Sequence, residues 1–151
     1  MKKFVILLSL GLLLAGSTLT TNAQTINVSG VITSELLQFQ FTPNGVSATY
    51  HDTWTGDIVG TGNTHIFSSV LLDPSTGEVA DVVSKIFIHT EEGNLFLEGV
   101  GHAIGPFLHV DATIKHGTGI YKNAEGQSSS DGIIGPDGQV SNYTGTITFN
   151  P

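Results

Sequence analysis

HGTGIYKNAEG, His116 to Gly126, decides how this chain is read. Three glycines, a histidine, a threonine and a tyrosine in so short a stretch fit a phosphate loop or a tight turn. A phosphate-cradling loop has the form G-x-x-x-x-G-K-[S/T] between a strand and a helix. Neither Gly119 nor Gly126 is followed by Lys-Ser or Lys-Thr, and no helical period follows. The dinucleotide fingerprint fails as well, because no βαβ unit surrounds the segment. What precedes it is an alternation. Leu108, Val110, Ala112 and Ile114 share one face of Phe107–Lys115, and His109, Asp111 and Thr113 share the other. That is a half-buried strand. The segment therefore reads as a turn or bulge over His116–Gly119, with the next strand starting at Ile120–Asn123. The glycines supply positive φ.

The same punctuation recurs along the chain. Turn clusters stand at Pro43-Asn44-Gly45, Gly60–Asn63, Asp73–Gly77, Glu92–Asn94, Gly105-Pro106, Glu125-Gly126 and Gly135–Gly138. Between them lie strand-like runs: 25–33, 36–42, 46–53, 65–72, 79–90, 94–102, 107–115, 132–134 and 139–149. Short strands at such spacing, with no helix-length 3.6 period, predict an all-β sandwich or barrel. In Asn94–Ile104, one face carries Phe96, Glu98, Val100, His102 and Ile104. The other carries Leu95, Leu97, Gly99, Gly101 and Ala103. The two glycines predict sharp coiling or close approach of another segment.

The N-terminus has a different character. Met1-Lys2-Lys3, the apolar FVILLSLGLLL and the polar, small-residue exit to Ala23 form the pattern of a secretory signal peptide. The apolar core is too short to span a bilayer comfortably. Residues 1–23 are thus expected to be removed. Residues 24–151 form one domain, secreted or periplasmic, with no membrane insertion afterwards. The 151-residue chain has no cysteine, so an apolar core and not disulfides must hold it. Its net charge is −8, with 13 acidic residues against 5 lysines and no arginine. That balance argues against nucleic acid and anionic membrane as partners.

GTG-x-[aromatic]-x-x-A-x-G, as Gly117-Thr118-Gly119-Ile120-Tyr121-Lys122-Asn123-Ala124-Glu125-Gly126, resembles the signature of plant dirigent proteins and the glycine-rich segment of allene oxide cyclases. Tyr143–Ile147 resembles the closing strand of such barrels. The stretch Trp54–Gly62 with Asp73–Glu78 is similar to bacterial relatives of unassigned function. The resemblance implies an all-β fold: an antiparallel, calycin-like, eight-stranded β-barrel, trimeric in plant members, that holds small apolar ligands and steers a cyclisation or coupling. The acidic and basic pocket residues of that family have no counterpart placed here.

Three function classes follow. The first is a barrel binding a small hydrophobic molecule. The second is an isomerase or cyclase of the allene oxide cyclase type. The third is a non-enzymatic structural or surface-interaction protein. Glu98 and His102 share a strand face about 13 Å apart along it. With Phe96, Val100 and Ile104 beside them, that face is expected to line the pocket, which makes them the acid–base candidates. Tyr50 and Trp54 share a parity, with Asp52 between them, and with His116 they are the ligand-binding candidates. No histidine pair has zincin spacing, so neither metal nor cofactor is expected. An interior filled by Ile, Leu and Phe would exclude both ligand readings.

Overall fold

The computed structural model describes residues 22–68, 71–73 and 78–151, so the signal-peptide reading falls almost wholly outside the described residues. The strands are β1 (Gln24–Thr42), β2 (Gly45–Gly56), β3 (Gly60–Ser68), β4 (Leu71–Asp73), β5 (Glu78–Thr90), β6 (Gly93–Ile104), β7 (Phe107–Gly117), β8 (Glu125–Gly135) and β9 (Gly138–Phe149). All neighbours pair antiparallel. β1 pairs with β9, and β3 pairs with β5, so eight strands close a ring and the short β4 extends the edge of β5. This is the all-β, closed, eight-stranded barrel expected from the sequence.

Alternation along each strand divides inside from outside. Val28, Ile32, Trp54, Ile88, Leu95, Leu97, Ile114, Tyr143 and Ile147 fill the lower half of the interior. Ala48, Tyr50, Ile66, Val82, Ala103, Leu108 and Val110 line the upper half. The upper wall is thus built mainly of smaller side chains. At its rim, Phe39 and Phe41 lie on the inward parity of β1 but project past the start of β9. They remain 49% and 75% exposed, packed edge-on at 5.2 Å.

HGTGIYKNAEG closes the lower end. Its middle is not a strand: Gly119–Tyr121 forms one turn of 3₁₀ helix, and β8 begins only at Glu125. The reason lies in its backbone partners. Thr118 N–H donates to Asn94 at 2.9 Å, Ile120 N–H to Glu92 at 3.0 Å, and Tyr121 N–H back to Thr118 at 3.1 Å. These bonds tie the segment across the β5–β6 turn and turn Tyr121 and Ala124 inward as a plug. Gly119 needs its positive φ of 63°, and a Cβ there would sit 2.0 Å from the Glu92 carbonyl. Three other boundaries differ. Gly60–Asn63 opens β3 instead of forming a turn, Glu125-Gly126 opens β8, and the two runs 25–33 and 36–42 are one strand with a bulge at Leu37. In each case a ladder in register with a neighbour overrides the local turn preference of glycine or the polar break at Ser34-Glu35.

Tyr143, 1% exposed, crosses the lower interior. Its hydroxyl accepts from Ile58 N–H at 3.0 Å and lies 3.3 Å from the Thr55 carbonyl, to which it donates. It passes over Gly30, where a Cβ would meet the Tyr143 hydroxyl at 2.7 Å and the Thr55 carbonyl at 1.9 Å. Tyr143→Phe should cost about 1–3 kcal/mol, since it strands a buried N–H. Gly30→Ala should cost a similar amount or more through overpacking against backbone. Urea denaturation of the two variants tests both. Wild-type stability in either would show that the Tyr143–Gly30 crossing does not hold the β2–β3 turn.

Candidate functional site

Between the two apolar halves runs a polar line. Register places Gln139 of β9 opposite Ser34 of β1, and Ser34 opposite Asp52 of β2. The Gln139 amide reaches the Ser34 hydroxyl at 3.5 Å. Ser34 and Thr64 hydroxyls both donate to the Asp52 carboxylate, Thr64 at 2.5 Å. Asp52 is 0% exposed, and among the described residues it is the one buried carboxylate. Its other oxygen, Oδ1, has no partner. Ser84 Oγ, Trp54 Nε1 and Gln139 Oε1 are also buried and unpaired. Buried polar atoms normally find partners, so each of these four groups calls for its own explanation.

The alternating stretch Tyr50-His51-Asp52-Thr53-Trp54 explains how a carboxylate came to lie inside. Strand period two sends Tyr50, Asp52 and Trp54 to the same face, and two large aromatics fix that face as the core. Burial raises the Asp52 pKa above its ordinary value, partly opposed by the hydrogen bonds from Ser34 and Thr64. Burial also raises the Tyr50 pKa, and the neighbouring Asp52 charge adds to this. Both groups are thereby biased toward their protonated forms.

The candidates named from sequence separate cleanly. Tyr50 and Trp54 point inward and flank Asp52. Glu98 and His102 do not line the interior. Their face of β6 is the outer one, with the Glu98 side chain 54% exposed and 3.6 Å from Lys115 Nζ. The expectation for that face is thus corrected. The inward face carries Leu95, Leu97, Gly99, Gly101 and Ala103 because a narrow barrel needs small residues where other side chains cross. Ser84 Oγ and Val110 Cγ1 occupy the space a Gly99 Cβ would take, at 2.4 and 2.7 Å. His102 instead stands beside His109 on the outside, and His109 hydrogen-bonds Asp131 at 2.8 Å. His116 is also outside, stacked on Phe96 at 4.0 Å. Among the described residues no group of three or more His, Cys, Asp or Glu is placed to hold a metal ion.

The lower interior is nearly full. A cavity of about 20 Å³ remains between Val28, Trp54, Leu97 and Tyr143, room for about one water. With Ile58, Tyr121 and Ala124 buried at the lower end, that end offers no entry. The upper half beside Asp52 is lined by Ala48, Val82, Ala103 and Val110 together with Tyr50, Ile66 and Leu108.

No family model matches the sequence, and no curated protein matches it. Solved structures do. The pterocarpan synthase dirigent protein PsPTS1 aligns over 85% of this chain and 97% of its own, with TM-score 0.64 and 11% identity. The pterocarpan synthase dirigent protein GePTS1 aligns over 85% and 90%, again with TM-score 0.64 and 11% identity. Pyocyanin demethylase aligns over 80% and 99%, with TM-score 0.50 and 17% identity. The chain therefore shares the barrel fold of these dirigent proteins, as the resemblance of its GTG segment implied.

A raised folded-state pKa makes Asp52 a pH-dependent cost. Its stabilising contribution is complete below the ordinary aspartate range, near about pH 4, and is lost as pH rises through the folded value. Asp52→Asn should therefore gain thermal stability relative to wild type as pH rises from about 4 to about 8. Melting temperatures at the two ends check this, and a difference independent of pH would show that burial does not raise the folded-state pKa of Asp52.

Proposed function

We propose that this protein is a ligand-binding barrel that takes a small, largely apolar molecule with one hydrogen-bonding group into the upper half of its interior, beside Asp52. The observation that carries this reading is the unpaired Oδ1 of a fully buried carboxylate, aimed into the barrel with Ser84 Oγ also unpaired. Leaving such groups unsatisfied costs about 1–3 kcal/mol each. A ligand hydroxyl or amide would offset that cost. Tyr50, the Ala48 and Ala103 wall and the exposed Phe39–Phe41 rim supply the apolar part and the approach. The sequence pattern of the first 23 residues supports action after export, and the dirigent resemblance supports a homotrimer.

One observation favours an isomerase or cyclase as a second reading. Burial biases the Asp52 carboxyl toward its protonated form, with Tyr50 on the same strand face, which suits proton transfer on a water-excluded substrate. That role moves from Glu98 and His102, which face solvent, to Asp52.

Native mass spectrometry of the purified protein tests the binding reading and reports the oligomeric state. A small apolar adduct is expected on wild type. It should be lost in Ala103→Leu, which fills the upper half, and weakened about tenfold or more in Asp52→Ala. An adduct indifferent to both changes, or none with any apolar compound supplied, would sink the interior site. Turnover of an identified ligand by wild type but not by Asp52→Asn, with binding retained, would select the enzymatic reading.

A further inference from the structure

The outer wall carries a second, differently built site. Cross-strand register aligns Asn63, Phe87, Phe96 and His116 in one row over β3, β5, β6 and β7. Phe87 and Phe96 pack at 4.9 Å, and Phe96 stacks on the His116 imidazole at 4.0 Å with ring planes 28° apart. Three rings thus make a continuous half-exposed platform on an outer wall that also exposes Phe67, Val83 and Val100. The next row holds His65, Lys85 and Glu98, and a bulge between Phe96 and Leu97 in the β6–β7 ladder brings Lys115 alongside. Platform and cations line a groove of about 430 Å³, within the range of small-molecule sites.

The charge pattern selects the occupant. The described residues contain three lysines, Lys85, Lys115 and Lys122, and no arginine, in a chain whose net charge is −8. Two of the three stand at this groove. Lys115 has only an exposed, 3.6 Å pairing with Glu98, the kind that contributes little. Lys85 has no ion pair among the described residues. Mere coverage of the strands explains a Phe87–Phe96 cross-strand pair, worth about 0.2–1 kcal/mol. It does not explain why the scarce cations gather around it. We propose that this outer groove binds a small planar organic anion, an aromatic carboxylate, with its ring on Phe96 and His116 and its carboxylate competing with Glu98, which stands between them, for Lys85 and Lys115. The site is separate from the interior and stands or falls without it.

The test is an NMR titration of isotope-labelled full-length barrel with 2-naphthoate at low salt, with 2-naphthamide as the neutral control. Shifts are expected at Phe87, Phe96, His116 and Lys85, with a Kd of about 1 mM. Binding of naphthamide should be about five- to tenfold weaker, and Lys85→Gln with Lys115→Gln should weaken naphthoate by the same factor. These lysines are exposed, so the double variant keeps the fold, which its unchanged remaining spectrum verifies. Phe96→Ala should remove the shifts. The Trp54 indole N–H reports the interior independently. The proposal is overturned if shifts appear at Trp54 alone, if naphthamide binds as well as naphthoate, or if nothing moves by about 10 mM. It is equally overturned if these signals broaden with protein concentration and not with ligand, which would make the platform a contact between copies of the chain.

Discussion

An eight-stranded barrel has an interior just wide enough for one layer of side chains, and every assignment above follows from how that width is shared. Tyr143 takes the largest portion. Its ring packs on Trp54 at 5.0 Å, and its hydroxyl reaches over β1 to the β2–β3 turn. Gly30 must then be bare, because the ring passes where its side chain would stand. The same trade appears at Gly99, whose space is used by Ser84 and Val110. Interior glycines in this barrel mark where a neighbour crosses.

Filling the lower half this way shifts any ligand chemistry upward. Tyr143, Trp54 and the plug of Tyr121 and Ala124 leave space for about one water there. Above them the wall becomes small, and the polar line from Gln139 to Thr64 crosses it. A carboxylate in that position weakens the fold near neutral pH, because ionising it without a counter-charge is unfavourable. An Asn or Leu would build a steadier barrel. Retaining Asp52 with one oxygen unpaired is a cost in stability for which the fold alone gives no return. The buried network therefore reads as belonging to function, and the apolar lower half as belonging to stability.

Much of this was legible in the residues. The alternation of Leu108, Val110, Ala112 and Ile114 and the GTG segment pointed to an antiparallel barrel, which the ladders and the dirigent structures bear out. Tyr50, Asp52 and Trp54 were visible as one face. The weight of Asp52 was not, because an alternating pattern does not say which hydroxyls a carboxylate will meet. Ser34 and Thr64 come from two other strands, and only register brings Ser34 opposite Asp52. The face of β6 misled for a physical reason. Counting apolar mass favours Phe96, Val100 and Ile104 over two glycines, yet a crowded interior prefers the glycines. In Ile120–Asn123 the local strand preference lost to backbone bonds with Asn94 and Glu92, more than twenty residues earlier.

The misread face is itself informative. Strand alternation lets one stretch of wall serve two chemistries: β5 sends Ser84 in and Lys85 out, and β6 sends Leu97 in and Phe96 and Glu98 out. Inside, low polarity makes one unpaired carboxylate oxygen costly. Outside, charges are screened by solvent, so the lysines grouped around the ring platform act through a weaker, salt-dependent field. Aromatic residues on the outer face of β6 are not needed by the core, which Leu95 and Leu97 already fill from the other side. Their alignment with Phe87 and His116 therefore reflects a constraint separate from the one that fills the barrel.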